Sequence, residues 1–384
     1  MVGAEEAPLG AHAQVIAGQS PDGQFYNQDG NGLPFYQGKK DFGDWELQPP
    51  TKWTTRVTKE ALPGDILMSV RAPVGPVNFT REKVCIGRGL AAIRCRNGLD
   101  ADYLFYQLLG MQGRIAGKEG AVFASISKAE IEALPIVAPH LSEQRRIVAI
   151  LDEAFEAIAI AKANAEKNLQ NARAIFENHL QSVLLSTQWE WRTLGELCDD
   201  VEYGSSAKSK KEGSIPVLRM GNIQEGKLDW ENLVYTDDKA EIKKYLLKKN
   251  DVLFNRTNSP ELVGKTAIYR GEMPAIFAGY LIRIHRKEGL LDADFLTYFL
   301  NSQIAFDYGK TVVTSSVNQA NINGTKLKGY PIPAPSLSEQ QAIVAKLNRL
   351  AEETQRLARI YEQKQAALDA LKKSLLHQAF SGTL

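Results

Sequence analysis

One feature limits this chain more than any other: it repeats itself. Residues 135–151 read PIVAPHLSEQRRIVAIL and residues 331–347 read PIPAPSLSEQQAIVAKL, with 12 of 17 positions identical at a constant offset of 196. Weaker echoes lie upstream. Leu99-Asp100-Ala101-Asp102-Tyr103-Leu104 returns as Leu291-Asp292-Ala293-Asp294-Phe295-Leu296, and Gly64-Asp65-Ile66-Leu67 returns as Asn250-Asp251-Val252-Leu253. Leu9-Gly10 returns as Leu194-Gly195, and Pro34 through Gly38 stands opposite Pro216 through Gly221. The offset drifts between 182 and 196, so the copies differ in loop length. The 384 residues are therefore two copies of one unit, each a globular part followed by a tail.

The tails read as long helices. The PIxAP segments cannot be helical and mark the boundary as extended surface chain. Ser142 and Ser338 are the expected N-caps, with Glu143 and Glu339 next to them at the positive end of the helix dipole. No proline or glycine interrupts 141–186 or 336–381. In the second tail Ile343, Leu347, Leu350, Thr354, Leu357, Tyr361, Lys364, Leu368, Leu371 and Leu375 step by 4 and 3. The matching seam of the first is small-residue-rich: Ile147, Leu151, Ala154, Ile158, Ala161, Ala165, Asn168, Ala172, Ile175 and His179. A helix of about 45 residues spans roughly 65–70 Å and needs a partner for its stripe. That partner is either the other tail, packed antiparallel, or a helix of another chain.

The globular parts mix strands and short helices. Asp65–Val70, Ala91–Arg94, Val252–Phe254, Ala267–Tyr269 and Tyr280–Ile284 are short, apolar or β-branched and bounded by turn residues. Residues 100–110 and 292–303 carry helical spacing.

Catalytic motifs are lacking. Gly264-Lys265-Thr266 resembles a phosphate loop, but Ser259 stands where its first glycine belongs. Five histidines (His12, His140, His179, His285, His377) and three cysteines (Cys85, Cys95, Cys198) lack metal-ligand spacing. Asp229, Glu241 and Lys243 form a weak nuclease pattern in a lysine-rich stretch. The net charge is +1, which argues against a histone-like or ribosomal role but leaves room for local patches. The acidic start, with Glu5 and Glu6, is unlike a secretory signal, and three cysteines suit a reducing cytoplasm. No apolar run approaches the ~20 residues that cross a bilayer.

Binding residues are better represented. In the second copy Arg219 and Asn222, then Asn255, Arg256 and Asn258, sit on segments flanked by glycine and proline. Arginine and asparagine make bidentate contacts to guanine and adenine edges. Lys208, Lys210 and Lys211 suit phosphates. A third polar run holds Ser316, Asn318 and Gln319. The first copy places Gln37, Lys39 and Lys40, then Ser69 and Arg71, at corresponding positions, and its third run, Phe123 to Lys128, offers Ser125, Ser127 and Lys128. Equivalent loops carry different residues, so the two copies should read different sequences.

These residues resemble the specificity subunit of type I restriction–modification systems. The resemblance rests on Gly18-Gln19-Ser20-Pro21 with Tyr26-Asn27, and on Pro34-Phe35-Tyr36-Gln37-Gly38. It rests also on Trp191 through Leu197, Leu218 through Ile223, Asn255 through Ser259, and the paired PIxAPxLSEQ tails. It departs at the N-terminus, which lacks counterparts of Trp189 and Trp191. The resemblance implies an α+β fold: two strand-rich target-recognition domains related by a pseudo-two-fold axis, separated by two long helices packed as an antiparallel coiled coil. The expected domains are 1–133 and 187–329, and the expected helical regions are 134–186 and 330–384. It further implies a non-catalytic subunit whose helices set the spacer of a bipartite double-stranded DNA target. Leu141, Glu143, Gln144, Leu337, Glu339 and Gln340 would dock two methyltransferase subunits, with restriction subunits joining them. S-adenosylmethionine would sit on the methyltransferase, and ATP and Mg on the restriction subunit. A coiled-coil scaffold, a DNA-binding protein without a restriction role and a metal-dependent nuclease are the alternatives.

Overall fold

The computed structural model describes residues 5–116, 125–186, 188–316 and 319–384. The chain divides into two compact units, 1–166 with 362–384, and 167–361. Each long helix, Leu141–Leu184 and Leu337–Ser381, is split between them.

Each unit is built on the same four-stranded antiparallel sheet. In the first, Ala13–Ala17 pairs with Leu90–Cys95, which pairs with Ile66–Ser69, which pairs with Val77–Phe79. In the second, Cys198–Tyr203, Leu281–Arg286, Val252–Asn255 and Thr266–Ile268 follow in that order. Beside each lies a second sheet, of five short strands in the first unit and three in the second, with one parallel pair: Phe35↔Cys85 in the first, Val217↔Ile276 in the second. The expected strands form with ends shifted by a residue or two. The apolar face packs under a helix, Ala101–Ala116 or Ala293–Leu300, through fully buried Tyr103 and Leu104 or Phe295 and Leu296. The helical stretch expected over 292–303 breaks after Leu300, because Ser302 caps a second helix, Gln303–Val312, by accepting the amide of Ala305.

The repeated motifs are the joints of this frame. Asp65 and Asp251 each follow a residue at positive φ (Gly64 at 86°, Asn250 at 73°). Each accepts the backbone amide three residues back at 2.8 Å, closing the turn into the central strand. Asp65 also holds Arg94 at 2.9 and 2.7 Å, and Asp251 holds Arg283 at 3.0 Å. Asp100 and Asp292 cap the next helix through two backbone amides each.

Two expectations change here. The PIxAP segments are not loose surface chain. Pro135–Val137 pairs with Glu6–Pro8, and Pro331–Pro333 with Trp191–Thr193, burying Ile136 and Ile332 completely. Proline is tolerated because each is a two-stranded ribbon with a free edge. The N-terminal strand forms without a counterpart of Trp191, whose ring packs on Phe299 in the second unit. The helix caps also lie two residues before the expected ones. Ser336, not Ser338, bonds Glu339, which donates its amide back at 3.4 Å in a Ser-x-x-Glu capping box. In the first tail His140 holds that place and bonds Ser142 at 2.9 Å.

Within each unit the two long helices run antiparallel. In the first, Lys162 meets Asp369 at 2.7 Å, Gln365 meets Glu166 at 2.8 Å, and Arg146 reaches the Leu384 carbonyl at 3.1 Å. In the second, Leu180 and Leu184 share a core with Val344 and Leu347. The seam departs from the expected one beyond Ala165. Leu169, Phe176 and Leu180 turn inward in place of Asn168, Ile175 and His179, leaving Ile175 49% exposed. In the other helix Leu376 and Ala379 are buried, whereas Leu371 is 46% exposed. A strict seven-residue repeat drifts against 3.6 residues per turn, and steps of four restore contact.

Candidate nucleic-acid interface

The loops that carry the expected reading residues are positioned by main-chain hydrogen bonds that recur in both units. In the first, Gly18 donates to Leu90, Gln19 to Ile86, Val70 to Gly89, Gly87 to Tyr36, and Ile126 to Val70. In the second, Gly204 donates to Leu281, Ser205 to Phe277, Arg256 to Tyr280, Ala278 to Leu218, and Ile322 to Arg256. The bridge Arg71↔Ser125 likewise matches Thr257↔Asn321. Glycine is required at this crossing: a Cβ on Gly18 would lie 2.2 Å from the Gly87 carbonyl oxygen, and one on Gly204 2.3 Å from that of Phe277.

On this shared frame the side chains differ. In the first unit, Gln37, Lys39, Ser69 and Arg71 line one cleft of about 590 Å³ together with Arg88 and Tyr26. Gln37, Lys39, Lys40, Arg71 and Arg88 are exposed. Asp41 fixes this loop by accepting the Gln37 amide at 3.0 Å. Three cationic heads at the cleft, with amide and hydroxyl groups nearby, suit a polyanion with hydrogen-bonding edges. Arg88 escaped the sequence reading, although its setting, Gly87-Arg88-Gly89, was a signal. Those glycines let the loop pass close to Gln37, because a Cβ on Gly89 would meet the Gln37 carbonyl oxygen at 2.2 Å.

In the second unit Arg256 occupies the place of Val70, and Thr257 that of Arg71. Arg256 is half-buried, 4.8 Å above the Tyr203 ring, and its guanidinium donates to the Gly279 carbonyl at 3.2 Å and to Asn321 at 3.3 Å. Its Nε is buried without a partner. Arg219 takes the place of Gln37, donates to the Asn232 carbonyl at 2.8 Å and likewise leaves its Nε unpaired. Tyr280, 48% exposed, was expected to begin a strand; the strand starts at Leu281 and leaves the ring on the loop. Lys208 and Lys211 are exposed, while Lys210 is paired with Asp237 at 3.2 Å.

Several expected readers are framework residues. Asn222 is buried, donates to the Asp229 and Glu231 carbonyls at 3.0 and 3.1 Å, and accepts the Arg219 amide at 2.9 Å. It holds the Arg219 loop as Asp41 holds that of Gln37, so no amide edge is left for a base. Asn255 is fully buried and Ser69 nearly so, the latter bonding the Arg71 carbonyl at 3.1 Å. Ser127 caps the helix Lys128–Glu132 in a box with Glu130, and Lys128 pairs with Glu132 at 3.5 Å. Asn258 accepts the Ser259 amide at 2.9 Å. Ser125 and Gln319 are exposed. Asn318, the side chain of Ser316, and Phe123 and Ala124 lie outside the described residues.

The docking set is also redistributed. Gln144 and Gln340 are buried and do the same work twice. Gln144 donates to the Gly98 and Pro139 carbonyls at 3.0 and 2.7 Å and accepts the Asp100 amide at 2.7 Å. Gln340 donates to those of Leu290 and Pro335 at 2.8 and 2.9 Å and accepts the Asp292 amide at 2.8 Å. They fasten each long helix to its globular part and present nothing outward. Glu143 is held by Arg146 at 2.8 Å, which keeps its carboxyl below the usual range. Glu339 is held low by its bonds to Ser336. Leu141 and Leu337 remain half-buried at the helix starts.

Asp229 and Glu241 are engaged separately, the first with the Glu231 amide at 2.9 Å and the second with the Ser205 hydroxyl. Among the described residues no group of three or more His, Cys, Asp or Glu is placed to hold a metal, and no helix is long and apolar enough to cross a membrane.

Residues 11–171 and 187–363 each match the family described as the type I restriction modification DNA specificity domain. Among similar curated proteins, the putative type I restriction enzyme MjaX specificity subunit of Methanocaldococcus jannaschii is 40% identical over 157 residues, covering 40% of this chain and 36% of its own. The type I restriction enzyme StySPI specificity subunit of Salmonella potsdam is 26% identical over 283 residues, covering 69% and 61%. The chain thus spans less than two thirds of the length of these relatives. A chain solved in work on complex assembly and conformational transition of the type I R-M system shares the fold, with a TM-score of 0.81 at 18% identity over 100% and 99% of the two chains. So does the HsdS subunit of Thermoanaerobacter tengcongensis, at 0.63 and 18% over 100% and 98%.

Proposed function

The chain belongs to the type I restriction modification DNA specificity family and carries its domain twice, and from that premise we propose that each copy reads one half of a split double-stranded DNA target. The observation that carries this reading is one main-chain frame presenting different side chains: Gln37, Lys39, Arg71 and Arg88 in one unit, Arg219, Arg256 and Tyr280 in the other. The recognition domains are 1–133 and 187–329, and the helical regions 134–186 and 330–384 set the spacer. Exposed faces of those helices dock two methyltransferase subunits, and restriction subunits complete the assembly. The chain is non-catalytic and cytoplasmic. Methylation draws on S-adenosylmethionine held by the methyltransferase, and cleavage on ATP and Mg held by the restriction subunit.

The test is the methylation pattern of a genome carrying this gene, with its methyltransferase, compared across variants. Arg71→Ala should relax a base of one half-site and leave the other half intact. Arg256→Ala or Arg219→Ala should relax the other half only. Uniform loss of methylation over all sites would assign the changed residue to phosphates or folding. Methylation that stays sequence-specific without this chain would refute the reading. Four residues inserted near Ala165 add about 6 Å to that helix and rotate its C-terminal part; an unchanged spacer would refute the ruler.

A further inference from the structure

The two units treat one place in the frame in opposite ways. In the first, Trp45, 36% exposed, covers the angle between the globular part and the long helices. Its ring centroid lies 5.1 Å from that of Phe105 and 5.4 Å from that of Tyr106, with Phe155 at 6.4 Å and the Lys372 ammonium at 5.9 Å. The backbone around it is fixed to the sheet edge, since Phe79 donates to the Trp45 carbonyl at 2.8 Å and Leu47 to that of Phe79 at 3.1 Å.

The repeat identifies the corresponding residues of the second unit. Phe105 becomes Thr297, Tyr106 becomes Tyr298, Phe155 becomes Ala351 and Lys372 becomes Phe176. The alignment is anchored by one bond made twice: Tyr106 to Asp152 and Tyr298 to Asn348, both 2.5 Å. No tryptophan stands at the corresponding place. A hairpin, Ile223–Gln224 with Lys227–Leu228 and the turn Glu225-Gly226, lies beside the matching strand, and Leu228 and Trp230 line the space from that side. With two phenylalanines shortened and no tryptophan at the place of Trp45, a cavity of about 870 Å³ is left, walled by Phe176, Leu180, Trp230, Ile268, Thr297 and Phe306. Its size lies in the range of small-molecule sites, and it joins apolar walls to a charged and polar rim that includes Asn301, Lys265 and the Arg270–Asp294 pair. The apolar part of the wall lacks the dispersion contacts a filling ring would restore.

We propose that this cavity is a binding site for a small planar aromatic molecule of about indole size, taking the place that Trp45 takes in the other unit. The inference does not depend on DNA reading and is measured without DNA.

The experiment is calorimetric titration of the full chain with indole. One molecule should bind per chain, at millimolar affinity or tighter. Ala351→Trp, which fills the cavity, should weaken binding at least tenfold, and Thr297→Phe, restoring the ring of the first unit, should do so too. Trp45→Ala should open the equivalent cleft and raise the stoichiometry to two. Thermal unfolding of each variant shows whether it is folded. Absence of saturable binding to the wild-type chain would overturn the proposal. So would unaltered binding in both folded cavity-filling variants, or a folded Trp45→Ala protein that still binds one.

Discussion

The two units share their joints and differ in what the joints hold out. Gln144 and Gln340, Asp100 and Asp292, and Gly18 and Gly204 make the same bonds or close approaches in both. The loop positions between them do not match: Val70 against Arg256, Arg71 against Thr257, Ser125 against Asn321, Arg88 against Gly279. Such a division separates folding from recognition. A duplicated chain can vary the second set freely while the first stays under the cost of leaving buried polar groups unpaired.

The comparison would break first at the glutamine clamp, where the largest effect is expected. Gln340→Leu leaves the Asp292 amide and the Leu290 and Pro335 carbonyls without their partner, at about 2–4 kcal/mol. Gln144→Leu should cost the same within about 1 kcal/mol, since its three bonds match. Urea unfolding measures both. A clearly larger loss in one copy would show that the clamps are not equivalent. Amide exchange at Asp100 should rise only in the Gln144 variant, and at Asp292 only in the Gln340 variant.

A smaller and more selective effect is expected at the arginines. Arg71 is exposed, whereas Arg256 is already tied to Gly279, Asn321 and the Tyr203 ring. Each replacement by alanine should cost about 1–3 kcal/mol of discrimination at one base position. They should differ in stability: Arg71→Ala close to neutral, Arg256→Ala destabilising by about 1 kcal/mol through its lost bonds and ring contact. Equal stability effects would mean that the network around Arg256 is not formed in solution.

How much of this was legible depended on range. The repeat, the long helices and the central strands are written in local pattern, and they formed where expected. The role of the SEQ motif was not visible, because Gln144 acts on residues more than forty positions upstream. Asn222 looked like a reader because asparagine is a good one, and nothing local shows that the loop from Asp229 to Glu231 folds over it. That Arg219 and Arg71 sit on loops was legible, because glycine and proline flank them. Arg88 was missed because its loop reaches the cleft only through the parallel pairing of Phe35 and Cys85. The seam slipped because a list of apolar residues at steps of 3 and 4 does not say where the two helices stop supercoiling.

The smallest expected difference lies at the helix starts. Ser336 and Glu339 form a reciprocal box, which satisfies two otherwise orphaned donors. At the matching place His140 bonds Ser142 through its ring, and Glu143 turns instead to Arg146. Ser336→Ala should therefore cost about 1 kcal/mol. His140→Ala should cost less, and His140→Ser should stabilise the first helix by a few tenths, because it permits the box with Glu143. The measurement is again the urea midpoint at constant slope. Should His140→Ser destabilise, the imidazole would be doing more than standing in for a serine, and the first helix start would have diverged from its copy as the loops at Arg71 and Arg256 have.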